Sequence, residues 1–132
     1  MTTEIEDLKR IFSNGRYVGQ VKSLRSTYHV FEFGDVYVIV RPDNRYKNAY
    51  NIVLFKHETI RHLQRLYEGR RGLRTRKILN DKEVRELFPM VNQKIRQLLL
   101  LQALLILACE GSASLHKRGR ELVFTIPKVN ED

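Results

Sequence analysis

Asn80-Asp-Lys-Glu-Val-Arg-Glu-Leu-Phe88, Pro89-Met-Val-Asn92, Gln93-Lys-Ile-Arg-Gln97 and Leu98-Leu-Leu-Leu-Gln-Ala-Leu-Leu-Ile-Leu107 follow one another without interruption. With the residues out to Lys128, this stretch decides the fold. Asn80 or Asp81 is expected to cap a short helix, with Glu83 and Glu86 in its early turns and Val84, Leu87 and Phe88 on its apolar side. Pro89 stops that helix, because proline disfavours helical geometry in the residue before it. A longer helix is expected from about Val91 to Cys109. Its first turns, Asn92 to Gln97, are polar around one apolar anchor, Ile95, whereas Leu98 to Leu107 is apolar nearly all round and interrupted only by Gln102. A helix without a polar face must be covered on every side. It is therefore expected either as the central helix of the fold, packed on an N-terminal sheet, or as the seam of a dimer. Gly111-Ser112 ends it, and Ala113–Leu115 and Glu121–Ile126 read as two strands flanking the basic turn His116-Lys-Arg-Gly-Arg120.

Working outward, the rest of the chain supplies a helix and four strands. Ile5, Leu8, Ile11 and Phe12 recur at helical spacing between early acids and Lys9-Arg10, and Ser13-Asn14-Gly15 ends that helix with Gly15 as its left-handed cap. Strands are expected around Tyr17–Val21, Tyr28–Phe33, Val36–Val40 and Tyr50–Phe55, with Gly34-Asp35 as a tight hairpin turn. Val36-Tyr-Val-Ile-Val40 is continuously apolar rather than alternating, which places it centrally with both faces covered. Arg41-Pro42-Asp43-Asn44 is turn chemistry. His57 to Tyr67 sets Ile60, Leu63, Leu66 and Tyr67 on one helical face, and Thr75 to Leu79 reads as a short strand. The expected fold class is α+β, with a boundary dividing residues 1–56 from 57–128 and a tail at 129–132.

The net charge is +9, from 24 basic and 15 acidic side chains, and it is unevenly placed. Residues 1–56 carry 9 basic and 6 acidic groups, whereas residues 57–128 carry 15 and 7. Such a balance attracts polyanions and is an electrostatic footprint of nucleic-acid binding. The single cysteine, Cys109, excludes an intrachain disulfide and makes a thiol-ligated structural zinc an unfavoured reading; its apolar neighbours mark a structural thiol. The N-terminal Met-Thr-Thr-Glu-Ile-Glu-Asp lacks the apolar core of a signal peptide, and the Leu98–Cys109 run of 12 residues is too short to span a bilayer. The expectation is a soluble cytoplasmic protein that does not enter membranes.

The order helix (57–67), strand (75–79), helix (81–88), turn, helix (91–109), hairpin (113–126) resembles the winged helix-turn-helix DNA-binding family. The stretches Asp81–Phe88, Lys94-Ile-Arg-Gln-Leu-Leu99 and Lys117-Arg-Gly-Arg120-Glu-Leu-Val-Phe-Thr-Ile126 carry the resemblance, over a little more than half the chain. It implies a division of labour. The helix from about Val91 would enter the major groove of double-stranded DNA and present Asn92, Gln93, Lys94, Arg96 and Gln97, since amide side chains suit adenine edges and Arg or Lys suits guanine or phosphate. The wing, with His116, Lys117, Arg118 and Arg120, would sit on phosphates or reach the minor groove. Arg70, Arg71, Arg74, Arg76 and Lys77 would make backbone contacts beside this surface. Any one basic cluster also reads as a solvated loop; it is their number and order that favours nucleic acid.

Signals for catalysis are thin, and an enzyme is not expected. The N-terminal helix and strands loosely resemble the restriction-endonuclease-like fold of archaeal junction resolvases, in which carboxylates on adjacent strands hold magnesium. In that alignment the Glu and Lys positions would hold Ile39 and Arg41, and the metal aspartate would fall near Tyr28 or His29, so the carboxylates are missing. His29, His57, His62 and His116 lack a metal-ligand spacing; His57 suits a helix start and His62 the solvent side. There is no P-loop or dinucleotide glycine pattern, and no metal or cofactor is expected. Arg45, Tyr46, Lys47, Asn48 and Tyr50 interleave bases and aromatics in a manner that suits single-strand stacking, but a polar loop is the preferred reading. The expected function is thus double-stranded DNA binding by a winged-helix transcriptional regulator, with the N-terminal part mediating dimerisation or partner binding. The alternatives are a protein-interaction module with a basic face and a nucleic-acid-processing accessory protein. A homodimer would form through the Leu98–Leu107 helix or the N-terminal sheet.

Overall fold

The computed structural model describes residues 4–43, 45–46 and 49–129; Asn44, Lys47 and Asn48, named above in turn and stacking readings, lie outside the described residues. In chain order the elements are α1 (Glu4–Ile11), β1 (Arg16–Lys22), β2 (Thr27–Phe33), β3 (Val36–Pro42), β4 (Tyr50–Lys56), α2 (His57–Leu66), α3 (Thr75–Ile78), α4 (Lys82–Leu87), α5 (Gln93–Cys109), β5 (Ser114–Arg118) and β6 (Glu121–Thr125). The class is α+β.

β1 to β4 form an antiparallel meander in sequence order, with β3 inside it as its unbroken apolar run requires. The register sets Val30 opposite Ile39 and Phe31 opposite Val38, and side chains alternate between faces along each strand. Tyr28, Val30, Tyr37, Ile39 and Phe55 therefore enter one core with α2 and α5. Phe31, Val38 and Val40 enter a second, smaller core with Leu8 of α1 and with Phe12. Gly34 takes φ 55° in the turn between β2 and β3. Gly15 does not adopt a positive φ, contrary to the expected left-handed cap. A Cβ at Gly15 would lie 2.5 Å from the Phe33 ring, so close packing rather than backbone conformation calls for glycine there.

α5 is the hub. Leu100, Leu104, Leu105, Ile106 and Leu107 are completely buried, and the helix packs against β1, β3, α2, α3 and β5. Most of this cover comes from the same chain; Leu98 stays exposed and Leu99 and Leu101 are half-buried. Residues 1–56 and 57–128 share this core, and β4 runs directly into α2 with no connecting loop. The His57 N–H donates to the Asp35 carbonyl at 2.8 Å.

A polar bridge reinforces the junction. Tyr37 Oη donates to Glu110 Oε2 at 2.5 Å, Arg61 pairs with the other oxygen of the same carboxylate, and Arg61 Nη2 also donates to Tyr37 Oη at 3.2 Å. Burial, with the Glu110 carboxylate beside it, pushes the Tyr37 phenol up to about 12. The Tyr37 ring stacks on His57 with centroids 4.2 Å apart. His57 Nε2 lies 2.8 Å from Glu32 Oε2, close enough for an ion pair but off hydrogen-bond alignment, and Arg16 pairs with Glu32 from the other side at 2.7 Å.

Two local expectations change in the C-terminal half. Residues Thr75–Ile78 are helical, not extended: Ile78 turns inward to join the core around α5. The extended residue lies two positions earlier, where Leu73 pairs with Phe124 of β6 through reciprocal backbone hydrogen bonds of 2.8 and 2.9 Å. Asp81 occupies the N-cap position of α4 without capping it by its side chain. Its carboxylate instead accepts from Tyr67 Oη, and burial together with this bond holds the Tyr67 phenol well above its ordinary range.

Gln102 is the one polar interruption of the α5 hub. It is buried, and its Oε1 has no hydrogen-bond partner. An unpaired buried acceptor carries a desolvation penalty that an apolar side chain of similar volume lacks. Gln102→Leu is therefore expected to raise the stability of the folded chain by about 1 kcal/mol, read as an increased urea midpoint at unchanged slope.

Candidate nucleic-acid interface

The exposed surface of α5 is confined to its first turns. Asn92 caps the helix, its side-chain oxygen accepting from the Ile95 N–H at 2.9 Å. Gln93, Lys94, Ile95, Gln97 and Leu98 are exposed before the helix sinks into the core at Leu100. Met90, in the turn that leads into α5, has φ 61° and a fully exposed side chain. Arg96 points back along that turn: Nε donates to the Phe88 carbonyl at 3.3 Å and Nη2 to the Val91 carbonyl at 3.2 Å. Asn92 and Arg96 thus build the turn between α4 and α5 and have their side chains committed to it.

Lys94, Ile95, Gln97, Leu98 and Leu101 line one wall of a groove of about 860 Å³. The β1–β2 turn, with Ser23, Leu24, Arg25 and Ser26, and Arg41 at the end of β3 also line it. Thr75 and Arg76 of α3 and Arg120, Glu121 and Leu122 of the β5–β6 hairpin close the remaining side. The β1–β2 turn is held by its own serines: Ser23 Oγ donates to the Ser26 carbonyl at 3.2 Å and accepts from the Ser26 N–H at 3.2 Å. That arrangement presents Leu24 and Arg25 at the turn apex.

Five cationic side chains, Arg25, Arg41, Arg76, Lys94 and Arg120, meet one carboxylate, Glu121, around this groove. Arg76 pairs with Glu121 at 2.5 Å and Arg74 approaches it at 3.4 Å. The Arg76 hydrogen bond holds the Glu121 carboxyl below its ordinary range. Arg74 and Arg76 are therefore partly neutralised; the other cations of the groove are Arg25, Arg41, Lys94 and Arg120, and Arg41 Nη1 also donates to the Pro42 carbonyl at 3.3 Å.

The residues expected from the sequence to form one face are thus distributed over several positions. Lys94, Gln97, Arg76 and Arg120 line the groove. Gln93 is exposed at the start of α5 without lining it, and His116, Lys117 and Arg118 are exposed along β5 and at its tip, where Gly119 takes φ 60°. Arg70 lies over the Tyr67 ring at 5.7 Å, and Arg71 and Lys77 are exposed. Arg25 and Arg41 were not anticipated. Arg41 falls in the expected turn at 41–44 and Arg25 between two expected strands, and only the folding of the sheet against α5 brings them into one groove with Lys94.

The remaining titratable groups do not gather into a second site. Among the described residues no group of three His, Cys, Asp or Glu side chains is arranged to hold a metal ion, and no helix is long and apolar enough to cross a membrane. His29 is buried and faces Tyr17 Oη at 3.1 Å; His57 begins α2 and His62 is exposed, as expected. No family model, no curated protein and no solved structure matches the chain.

Two measurements check these assignments. Arg96→Ala removes both hydrogen bonds to the α4–α5 turn and is expected to lower stability by about 1 kcal/mol in urea unfolding. Cys109 is half-buried, and burial, then the neighbouring Glu110, pushes its thiol up to about 11 from an ordinary 9.0. Since the thiolate is the nucleophile, alkylation of the native chain at pH 8 is expected to run about a hundredfold slower than that of the urea-unfolded chain. Between pH 9 and pH 11 the unfolded thiol ionises first, so folded stability falls as pH rises through that window.

Proposed function

We propose that this protein binds double-stranded DNA as a winged helix-turn-helix protein, most simply as a transcriptional regulator. The order α2, the extended residue Leu73, α3 with α4, α5 and the β5–β6 hairpin supports this reading, as does the pairing of Leu73 with β6. The observation that carries it is the shared groove. Lys94 and Gln97 of the exposed start of α5 meet Arg120 of the wing there, and the hairpin tip extends the basic surface through Lys117 and Arg118.

In this reading Gln97 and Gln93 reach base edges, Lys94 contacts guanine or phosphate, and the wing cations bind the backbone. Arg96 and Asn92 hold the reading helix at its angle and do not touch bases. Arg25 and Arg41 belong to the same positive surface, so the N-terminal sheet takes part in the interface as well as in packing. Arg70, Arg71 and Lys77 add flanking phosphate contacts.

The test is duplex binding by fluorescence anisotropy as salt is varied. Affinity is expected to fall steeply with salt, with a logarithmic slope of about −0.9 for each phosphate neutralised. Lys94→Glu combined with Arg118→Glu is expected to weaken binding more than about tenfold, at least 1.4 kcal/mol, with the unfolding midpoint unchanged. Gln97→Ala is expected to flatten discrimination among duplex sequences while Arg118→Ala weakens all of them alike. Absence of binding to any duplex at about 50 mM salt rejects the proposal and favours an acidic protein as the partner of the basic face.

A further inference from the structure

The lining of the groove is too apolar to be explained by phosphate contacts alone. Ile95 and Leu98 are 46% and 41% exposed, Leu24 is 41% exposed, and Leu101 and Leu122 continue the same surface inward. These side chains are brought together from three separate parts of the chain: the β1–β2 turn, α5 and the wing. Elsewhere α5 is so thoroughly covered that Leu100 and Leu104 have no exposure at all. The lack of cover is local to the groove. Arg25, Arg41, Lys94 and Arg120 line the same groove, with Glu121 already paired to Arg76. The groove is open to solvent, and its volume of about 860 Å³ falls within the range of small-molecule sites.

We infer that the groove is a binding site for a free apolar anion of the long-chain carboxylate class. Its alkyl chain lies along Leu24, Ile95, Leu98 and Leu101, and its carboxylate meets the arginines of the rim. Charge complementarity selects the occupant: an apolar cation faces five cationic side chains against one carboxylate, and a neutral chain leaves the arginine fork unused. Arg41 and Arg25 are the anchoring candidates, since a planar guanidinium matches a carboxylate in two-point geometry. Because Lys94, Gln97 and Arg120 line the same groove, a bound carboxylate and a DNA duplex exclude each other. That second consequence rests on the DNA reading; carboxylate binding itself does not.

Calorimetric titration of the full chain with octanoate, decanoate and dodecanoate, each below its micelle concentration and without DNA, tests the site directly. Affinity is expected to rise about threefold or more with each added methylene, as apolar burial requires. Dodecyltrimethylammonium, with the same chain and opposite charge, is expected to bind at least tenfold more weakly. Leu98→Glu, at a partly exposed position, is expected to abolish binding while the folded circular dichroism spectrum is retained. Arg41→Ala and Arg25→Ala provide independent variants, of which at least one is expected to weaken dodecanoate more than decanol. Equal affinity for the ammonium and the carboxylate, or binding undisturbed by both Leu98→Glu and the arginine variants, overturns the proposal. Co-sedimentation with phosphatidylglycerol vesicles that is lost in Leu98→Glu, without binding of free dodecanoate, overturns it in favour of a bilayer surface. If dodecanoate binds yet leaves duplex affinity unchanged, the site stands and mutual exclusion is rejected.

Discussion

From Gln102 to Leu107 every residue of the long helix α5 is buried, and the rest of the molecule is arranged to meet that constraint. A short apolar stripe could be covered by a single neighbouring helix. A helix apolar around its whole circumference needs a layer on every side, and here the sheet, α2, α3 and the β5–β6 hairpin provide them. The requirement also fixes where α5 can be exposed. Only its first turns project beyond the cover, and they do so where the β1–β2 turn, α3 and the hairpin come nearest one another. The groove is thus a by-product of how the core is closed.

Much of the secondary structure is legible in the residues because each element carries its own period. The alternation of Tyr28, Val30 and Glu32 against His29, Phe31 and Phe33, the unbroken Val36–Val40 run and the helical spacing of Ile60, Leu63 and Tyr67 all correspond to elements with nearly the expected bounds. Thr75–Ile78 misleads because it holds too few residues for a period to be read. The helical state there is settled by Ile78 reaching the α5 core, a tertiary effect that overrides local preference. Gly15 misleads for a related reason. Glycine after a helix is ordinarily a matter of φ, but here the deciding contact is the ring of Phe33, eighteen positions away.

The candidate site was legible in composition more than in arrangement. Residue types at Asn92–Gln97 mark a polar helix start, yet nothing in their order distinguishes Lys94 and Gln97, which line the groove, from Asn92 and Arg96, which tie down the turn. That division depends on which way each side chain leaves the helix. Arg25 and Arg41 reach the site through long-range packing, which no local pattern records. The same packing concentrates opposite tendencies in one place, with exposed aliphatic side chains ringed by cations. Glu121 offsets part of the excess charge by holding Arg76.

The direct passage of β4 into α2 has a mechanical consequence. Lys56 is the last residue of the strand and His57 the first of the helix, so no flexible segment decouples the two. The alternation of β4 and the rotation of α2 are locked in phase: Phe55 must face the sheet core while Ile60 and Leu63 face α5. Inserting one residue between them would turn α2 by about 100° relative to the strand and carry its apolar stripe away from the hub. The two halves of the chain consequently lack a hinge at their covalent junction.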